Sequence, residues 1–83
     1  MEFTTYILYS ASTDRYYVGS TGNLPDRLLR HNQGRSKATK SGLPWVVVHR
    51  EVYPSRSAAY RRELEIKGKK SRKYIESLLH DYS

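Results

Sequence analysis

Residues 3–21 read FTTYILYSASTDRYYVGST, and this stretch decides the fold. Phe3 to Tyr9 is β-branched and aromatic, the composition that suits a pleated, half-buried strand. Ser10 to Asp14 (SASTD) is built of small, hydrogen-bonding residues that favour turns. Arg15 to Thr21 (RYYVGST) returns to strand composition. Two such runs around a short turn predict an antiparallel hairpin. Tyr6 and Tyr17 fall on its two arms and become cross-strand neighbours if the turn is tight. Plain aromatic packing would account equally well for that pair.

The rest of the chain supplies elements to cover the hairpin. Asn23 is a good N-cap, Pro25 is tolerated in a first turn, and Asp26 complements the helix dipole; Gly34 closes this helix. Residues 34–44 (GRSKATKSGLP) form a basic, glycine-containing loop. Trp45–Val52, with three consecutive valines, is a third strand. Ser55 or Ser57 caps a second long helix running to about Lys67, where Gly68 interrupts it, and a last helix spans Ser71 to about His80. The order is β-β-α-β-α-α. It predicts an α+β fold, a three-stranded antiparallel sheet flanked by helices.

Composition bounds what such a chain can be. Its 83 residues leave room for one core, so residues 1–83 are read as a single domain. The absence of cysteine excludes a disulfide framework, a thiolate zinc site and a cysteine nucleophile. Leu43–Val48, the longest apolar stretch, is far short of a membrane span, so no membrane partner is expected. Residues 1–10 lack the marks of a signal peptide, which leads to an expectation of cytoplasmic location. Charge is the positive clue. The chain carries net +7, and the charge is unevenly spread. Residues 1–26 hold one base against three acids, whereas residues 27–83 hold fourteen bases against five acids. Such a surface attracts polyanions. Arg35, Lys37 and Lys40 in the long loop, and Lys67, Lys69, Lys70, Arg72 and Lys73 near the end, are the candidate phosphate contacts. A solvated helix end is the plainer account of the second group.

Two helices carry residues whose placement invites chemistry. On a wheel of the second helix, with Ala59 at the origin, Ile66, Ala59, Glu63, Tyr60 and Leu64 define one apolar arc with Glu63 inside it. Glu65 falls on the solvent side. A carboxylate in a packing face needs a partner or a metal, so Glu63 is a ligand, half of a structural ion pair with an arginine, or a carboxylate at the rim of the face. The first helix presents Leu24, Leu28 and Leu29 to the core, and Arg27 and His31 flank that side one turn apart.

Together these residues resemble the GIY-YIG endonuclease family. The resemblance rests on Tyr6, the Tyr17-Val18-Gly19 tripeptide, Arg27 ten residues on from Tyr17, Arg27-x-x-x-His31-Asn32-x-Gly34, the Thr39 loop, Pro44-Trp45, and Ala59-x-x-x-Glu63-x-x-x-Lys67. The first motif is degenerate, with Thr4-Thr5-Tyr6 in place of Gly-Ile-Tyr. The chain is similar to the small stand-alone bacterial branch, whose domain is like the N-terminal domain of DNA-repair excision nucleases. The resemblance implies a divalent-metal-dependent DNA endonuclease, with Tyr6, Tyr17, Arg27, His31 and Glu63 in one site. It implies one Mg²⁺ or Mn²⁺ held by Glu63, Tyr6 as base with Tyr17 positioning the water, His31 as the rival base, and Arg27 binding phosphate. Ser20 stands where many members carry a lysine. DNA is the implied partner, with RNA and a protein partner left open. A non-catalytic nucleic-acid-binding module, and a domain that docks an acidic protein, are the competing readings.

Overall fold

The structure is a computed structural model. It describes residues 1–80, and the last three residues of the expected 1–83 domain lie outside it. The elements follow the expected order: β1 (Phe3–Ser10), β2 (Arg15–Thr21), α1 (Leu24–Asn32), β3 (Trp45–Tyr53), α2 (Arg56–Lys69) and α3 (Arg72–His80). The hairpin forms and β3 adds on the far side of β1, giving a fully antiparallel sheet of order β2-β1-β3. Central β1 is covered on both faces, so Thr5 to Leu8 are buried without a break.

Alternation along the strands builds two cores. On one face Tyr6, Leu8 and Trp45 pack with Tyr17, Leu24, Leu28, Leu43 and Val47 beneath α1. On the other, Ile7, Val18 and Ile66 pack with Tyr16, Val48, Tyr74, Ile75 and Leu78 beneath α2 and α3. Asn32, at the end of α1, clamps the start of β3. Its Nδ2 donates to the Trp45 carbonyl at 3.0 Å, and the Trp45 backbone N–H donates to its Oδ1 at 2.7 Å. The Trp45 indole N–H donates to the Thr39 carbonyl at 2.6 Å. The loop between α1 and β3 is thereby folded back beneath α1.

The caps match the sequence. Asn23 Oδ1 accepts from the Asp26 N–H at 3.1 Å, and Ser55, rather than Ser57, caps α2 by accepting from the Ala58 N–H at 3.2 Å. Three expectations fail. Gly68 does not interrupt α2. The helix continues through it to Lys69 and stops at Lys70, which takes the left-handed conformation (φ 47°). An exposed glycine lowers helix stability by only ~1 kcal/mol, whereas a reversed φ ends the hydrogen-bond ladder. Leu29 is 55% exposed, because α1 faces the sheet with Leu24, Leu28 and His31. Tyr60 and Leu64 are also exposed, so the inward arc of α2 is narrowed to Ala59, Glu63 and Ile66.

Candidate active site

The expected site residues gather around the edge strand β2. Tyr6 is fully buried and pairs across the hairpin with Gly19, not with Tyr17. Tyr17 pairs with Leu8, so the two tyrosines are diagonal neighbours on one face. Gly19 lets Tyr6 lie where it does. A Cβ at that position would stand 2.5 Å from Tyr6 Oη and 2.7 Å from its Cζ. The phenol therefore crosses the bare backbone of β2, and only a residue with no side chain admits it.

His31, in the last turn of α1, is 2% exposed. Its Nε2 lies 3.2 Å from Tyr6 Oη and its Nδ1 lies 2.8 Å from Thr39 Oγ1. Its ring meets Tyr17 edge-on with centroids 5.0 Å apart. Arg27 stands one turn earlier on the same helix face and shares with Tyr17, Arg30, His31, Arg35 and Ser36 the lining of a cavity of about 420 Å³. Burial pushes the Tyr6 phenol up to about 12, Tyr17 adds to the push, and Arg27 pulls the other way without reversing it. Burial, followed by the charge on Arg27, holds His31 below its ordinary value of 6.5. At neutral pH the pair is thus a neutral phenol against a neutral imidazole.

Glu63 reaches the same edge from α2 and is 8% exposed. Ser20, next to Gly19, donates its hydroxyl to Glu63 Oε1 at 2.6 Å, and Lys67 Nζ donates to Oε2 at 2.5 Å. The ion partner is a lysine one turn along the helix, not an arginine. No group of three or more His, Cys, Asp or Glu that could hold a metal occurs among the described residues. A single, mostly buried carboxylate fits Mg²⁺ or Mn²⁺, since a hard ion of this kind keeps several waters and takes few protein ligands.

The expected phosphate contacts divide. Arg35 lines the cavity beside Arg27. Lys37, Lys40, Lys70 and Lys73 are exposed. Lys67 is engaged with Glu63, and Lys69 lies over the Tyr74 ring at 5.3 Å. Arg72 is committed to structure. It donates to Asp14 Oδ1 at 2.7 Å and to the Asp14 carbonyl at 2.9 Å, and it pairs with Glu76 at 3.2 Å, which ties α3 to the hairpin turn.

Sequence reasoning passed over Arg30, the Thr39 hydroxyl under His31 and the Ser20 hydroxyl on Glu63. It also passed over Glu51 on β3. Burial works to raise the Glu51 carboxyl, but hydrogen bonds from Arg62, His49 and Tyr53 override it and hold it at about 2. The period-2 placement of His49, Glu51 and Tyr53 on one strand face was the available signal.

A buried motif tyrosine thus crosses a glycine, with an arginine, a histidine and a helical glutamate around one sheet edge, and the chain belongs to the GIY-YIG family, whose catalytic domain matches residues 2–75. Its relatives are UPF0213 proteins. One from Staphylococcus haemolyticus is 46% identical over 52 residues, 61% of this chain and 63% of that protein. Another from Syntrophus aciditrophicus is 44% identical over 64 residues, 75% of this chain and 72% of that protein. The solution structure of the UPF0213 protein BH0048 from Bacillus halodurans superposes with a TM-score of 0.60 at 31% identity, covering 96% of this chain and 84% of that one. No helix among the described residues is long and apolar enough to cross a membrane.

Proposed function

We propose that this protein is a divalent-metal-dependent endonuclease that hydrolyses phosphodiester bonds in DNA at the edge of β2. The observation that carries the reading is the convergence there of a buried tyrosine–histidine pair, an arginine-lined cavity and a lone, inward-facing carboxylate. Arg27 binds a non-bridging phosphate oxygen with its planar fork, and Tyr17 closes the cavity wall beside it. Glu63 holds the metal, which when bound supplies charge neutralisation at the phosphate and at the leaving oxygen.

The proton path follows from the two neutral groups. With Tyr6 pushed up to about 12, the phenol is a poor base alone. His31, held below its ordinary value, is an unprotonated acceptor 3.2 Å away. Tyr6 Oη takes the proton from the attacking water as its own passes to His31 Nε2, and Nδ1–H donates to Thr39 Oγ1 in the tautomer that leaves Nε2 free to accept. The new O–P bond forms, the P–O bond to the departing sugar oxygen breaks, and solvent protonates that oxygen. Tyr6 and His31 therefore act as one base, with the proton resting on His31 until it is lost to water.

Substrate grip is supported by two grooves that meet at Tyr17. Arg27, Arg30 and Arg35 line one of them; Arg15, Lys67 and Lys70 line the other. A strand laid across Tyr17 places phosphates in both. These contacts position the substrate and read no sequence.

The test is cleavage of end-labelled single-stranded, duplex and forked DNA and a matched RNA, each with Mg²⁺, Mn²⁺ or EDTA, alongside Glu63→Gln. Metal-dependent cutting lost in the variant is the expected result. Salt-sensitive binding with no cutting by either protein would replace the enzyme with a binding module.

A further inference from the structure

The carboxylate assigned to the metal carries a cation of the chain's own. Lys67 Nζ sits 2.5 Å from Glu63 Oε2, while Ser20 occupies Oε1 at 2.6 Å. Each oxygen therefore meets a donor from within the fold. The two partners differ in exposure: the Lys67 side chain is 47% exposed and the Glu63 side chain 11%. The glutamate is anchored by the sheet, whereas the lysine approaches from solvent on a flexible four-carbon stem. Its ammonium also lies 5.9 Å from the centre of the Tyr17 ring and lines a groove that Tyr17 shares. It stands between the carboxylate and the path proposed for the substrate strand.

Two cations on this carboxylate oppose each other. An ammonium at hydrogen-bond distance and a divalent ion at ~2.1 Å from the same carboxylate stand close together, and their like charges repel. Removing the ammonium with nothing in its place would leave a buried carboxylate with one neutral hydroxyl as partner, a costly state.

We propose that Lys67 is the resident counter-ion of Glu63, displaced by the divalent ion and received by a substrate phosphate at Tyr17. This rests on the reading of Glu63 as the metal-holding residue. Lys67 then couples the two binding events. Without nucleic acid it competes with the metal. With a phosphate in place its charge has another partner, and Glu63 is released. Nucleic acid therefore tightens metal binding, and by reciprocity the metal tightens nucleic-acid binding.

The measurement is Mn²⁺ affinity of the free protein, read from the electron paramagnetic resonance signal of unbound Mn²⁺, with no substrate and no turnover. Lys67→Met removes the charge and keeps the helix-forming stem, and Lys67→Gln is the second variant in case the first does not fold. Lys69→Met removes an equal charge that does not touch Glu63. The expected result is Mn²⁺ binding roughly tenfold tighter in Lys67→Met or Lys67→Gln, within the usual range of coupling between sites. Lys69→Met should change it less than about twofold, as a screened exposed charge would. Glu63→Gln should abolish binding. Unchanged or weaker Mn²⁺ binding in both Lys67 variants, with Glu63→Gln still inactive in binding, overturns the counter-ion and leaves the metal site standing. Equal tightening by Lys69→Met reduces the effect to net charge and also overturns it. Mn²⁺ binding undisturbed in Glu63→Gln removes the metal reading itself.

Discussion

Gly19→Ala tests how Tyr6 comes to sit over the edge strand. The added Cβ would stand 2.5 Å from Tyr6 Oη, against 3.4 Å or more for an ordinary contact, so the phenol must retreat by about 1 Å. Tyr6 is fully buried and its neighbours are close-packed, so the overlap cannot be relieved into solvent. Overpacking of this kind costs ~1–3 kcal/mol. Replacing a strand glycine returns ~0.5–1 kcal/mol of backbone entropy. The net is a loss of up to about 2.5 kcal/mol, or up to roughly 20 °C in Tm for a domain of this size. The 3.2 Å contact between Tyr6 Oη and His31 Nε2 would pass beyond hydrogen-bond reach, and a displacement of ~1 Å can lower a rate by roughly 100-fold. Gly68→Ala is the matched control. That glycine lies within α2, is exposed, and has nothing within 4 Å of its added Cβ. It should gain ~0.5–1 kcal/mol with cleavage unchanged. The assay is thermal and urea unfolding of both variants beside wild type, followed by cleavage kinetics. A Gly19→Ala protein as stable as Gly68→Ala, with wild-type cleavage, would refute the reasoning.

Other consequences concern pH and salt. Glu51 is held at about 2 against an ordinary 4.5, so its contribution is present above pH 4.5 and is lost as pH falls toward 2; at 1.36 kcal/mol per unit this is about 3 kcal/mol at most. Urea unfolding at pH 6, 4 and 3 should show that decline in wild type and a flatter one in Glu51→Gln, and parallel curves would remove the cluster from the acid response. If His31 receives the proton, kcat/KM falls as pH drops through a value below 6.5. His31→Ala should erase that limb and Tyr6→Phe should lower the whole profile, whereas a limb rising only above pH 8 would return the role to a tyrosine alone. Arg30→Ala and Arg35→Ala should each reduce the slope of log K against log[salt] by about one phosphate contact. Arg72→Ala, whose guanidinium is held by Asp14 and Glu76, should leave that slope unchanged.

Local physics made the fold and several site residues legible. Two strand-like runs around SASTD specify a hairpin because turn residues and period-2 patterning act over short separations. Asn23 and Ser55 mark helix starts through hydrogen bonds spanning three residues. Glu63 stood out because an acid within an apolar arc conflicts with its surroundings, whichever element lies opposite. Leu29, Tyr60 and Leu64 were misplaced for a complementary reason. A helical wheel gives the direction of a face, but the width of its buried stripe is set by the partner. Here α1 and α2 each cover a three-stranded sheet with only two or three residues.

Element order, helix caps, the basic half of the chain and the types of residue available for chemistry were all legible in the sequence. Each of these depends on neighbours a few positions apart or on composition. Which partners those residues meet follows from the packed fold. Tyr6 faces Gly19 rather than Tyr17, His31 is held between Tyr6 and Thr39, and Lys67 lies on Glu63 while Arg72 is drawn away to Asp14. Most of these contacts join segments far apart in the chain, fixed by strand register and helix docking. The Lys67–Glu63 pair is only four residues apart, yet its meaning rests on Ser20 arriving from β2.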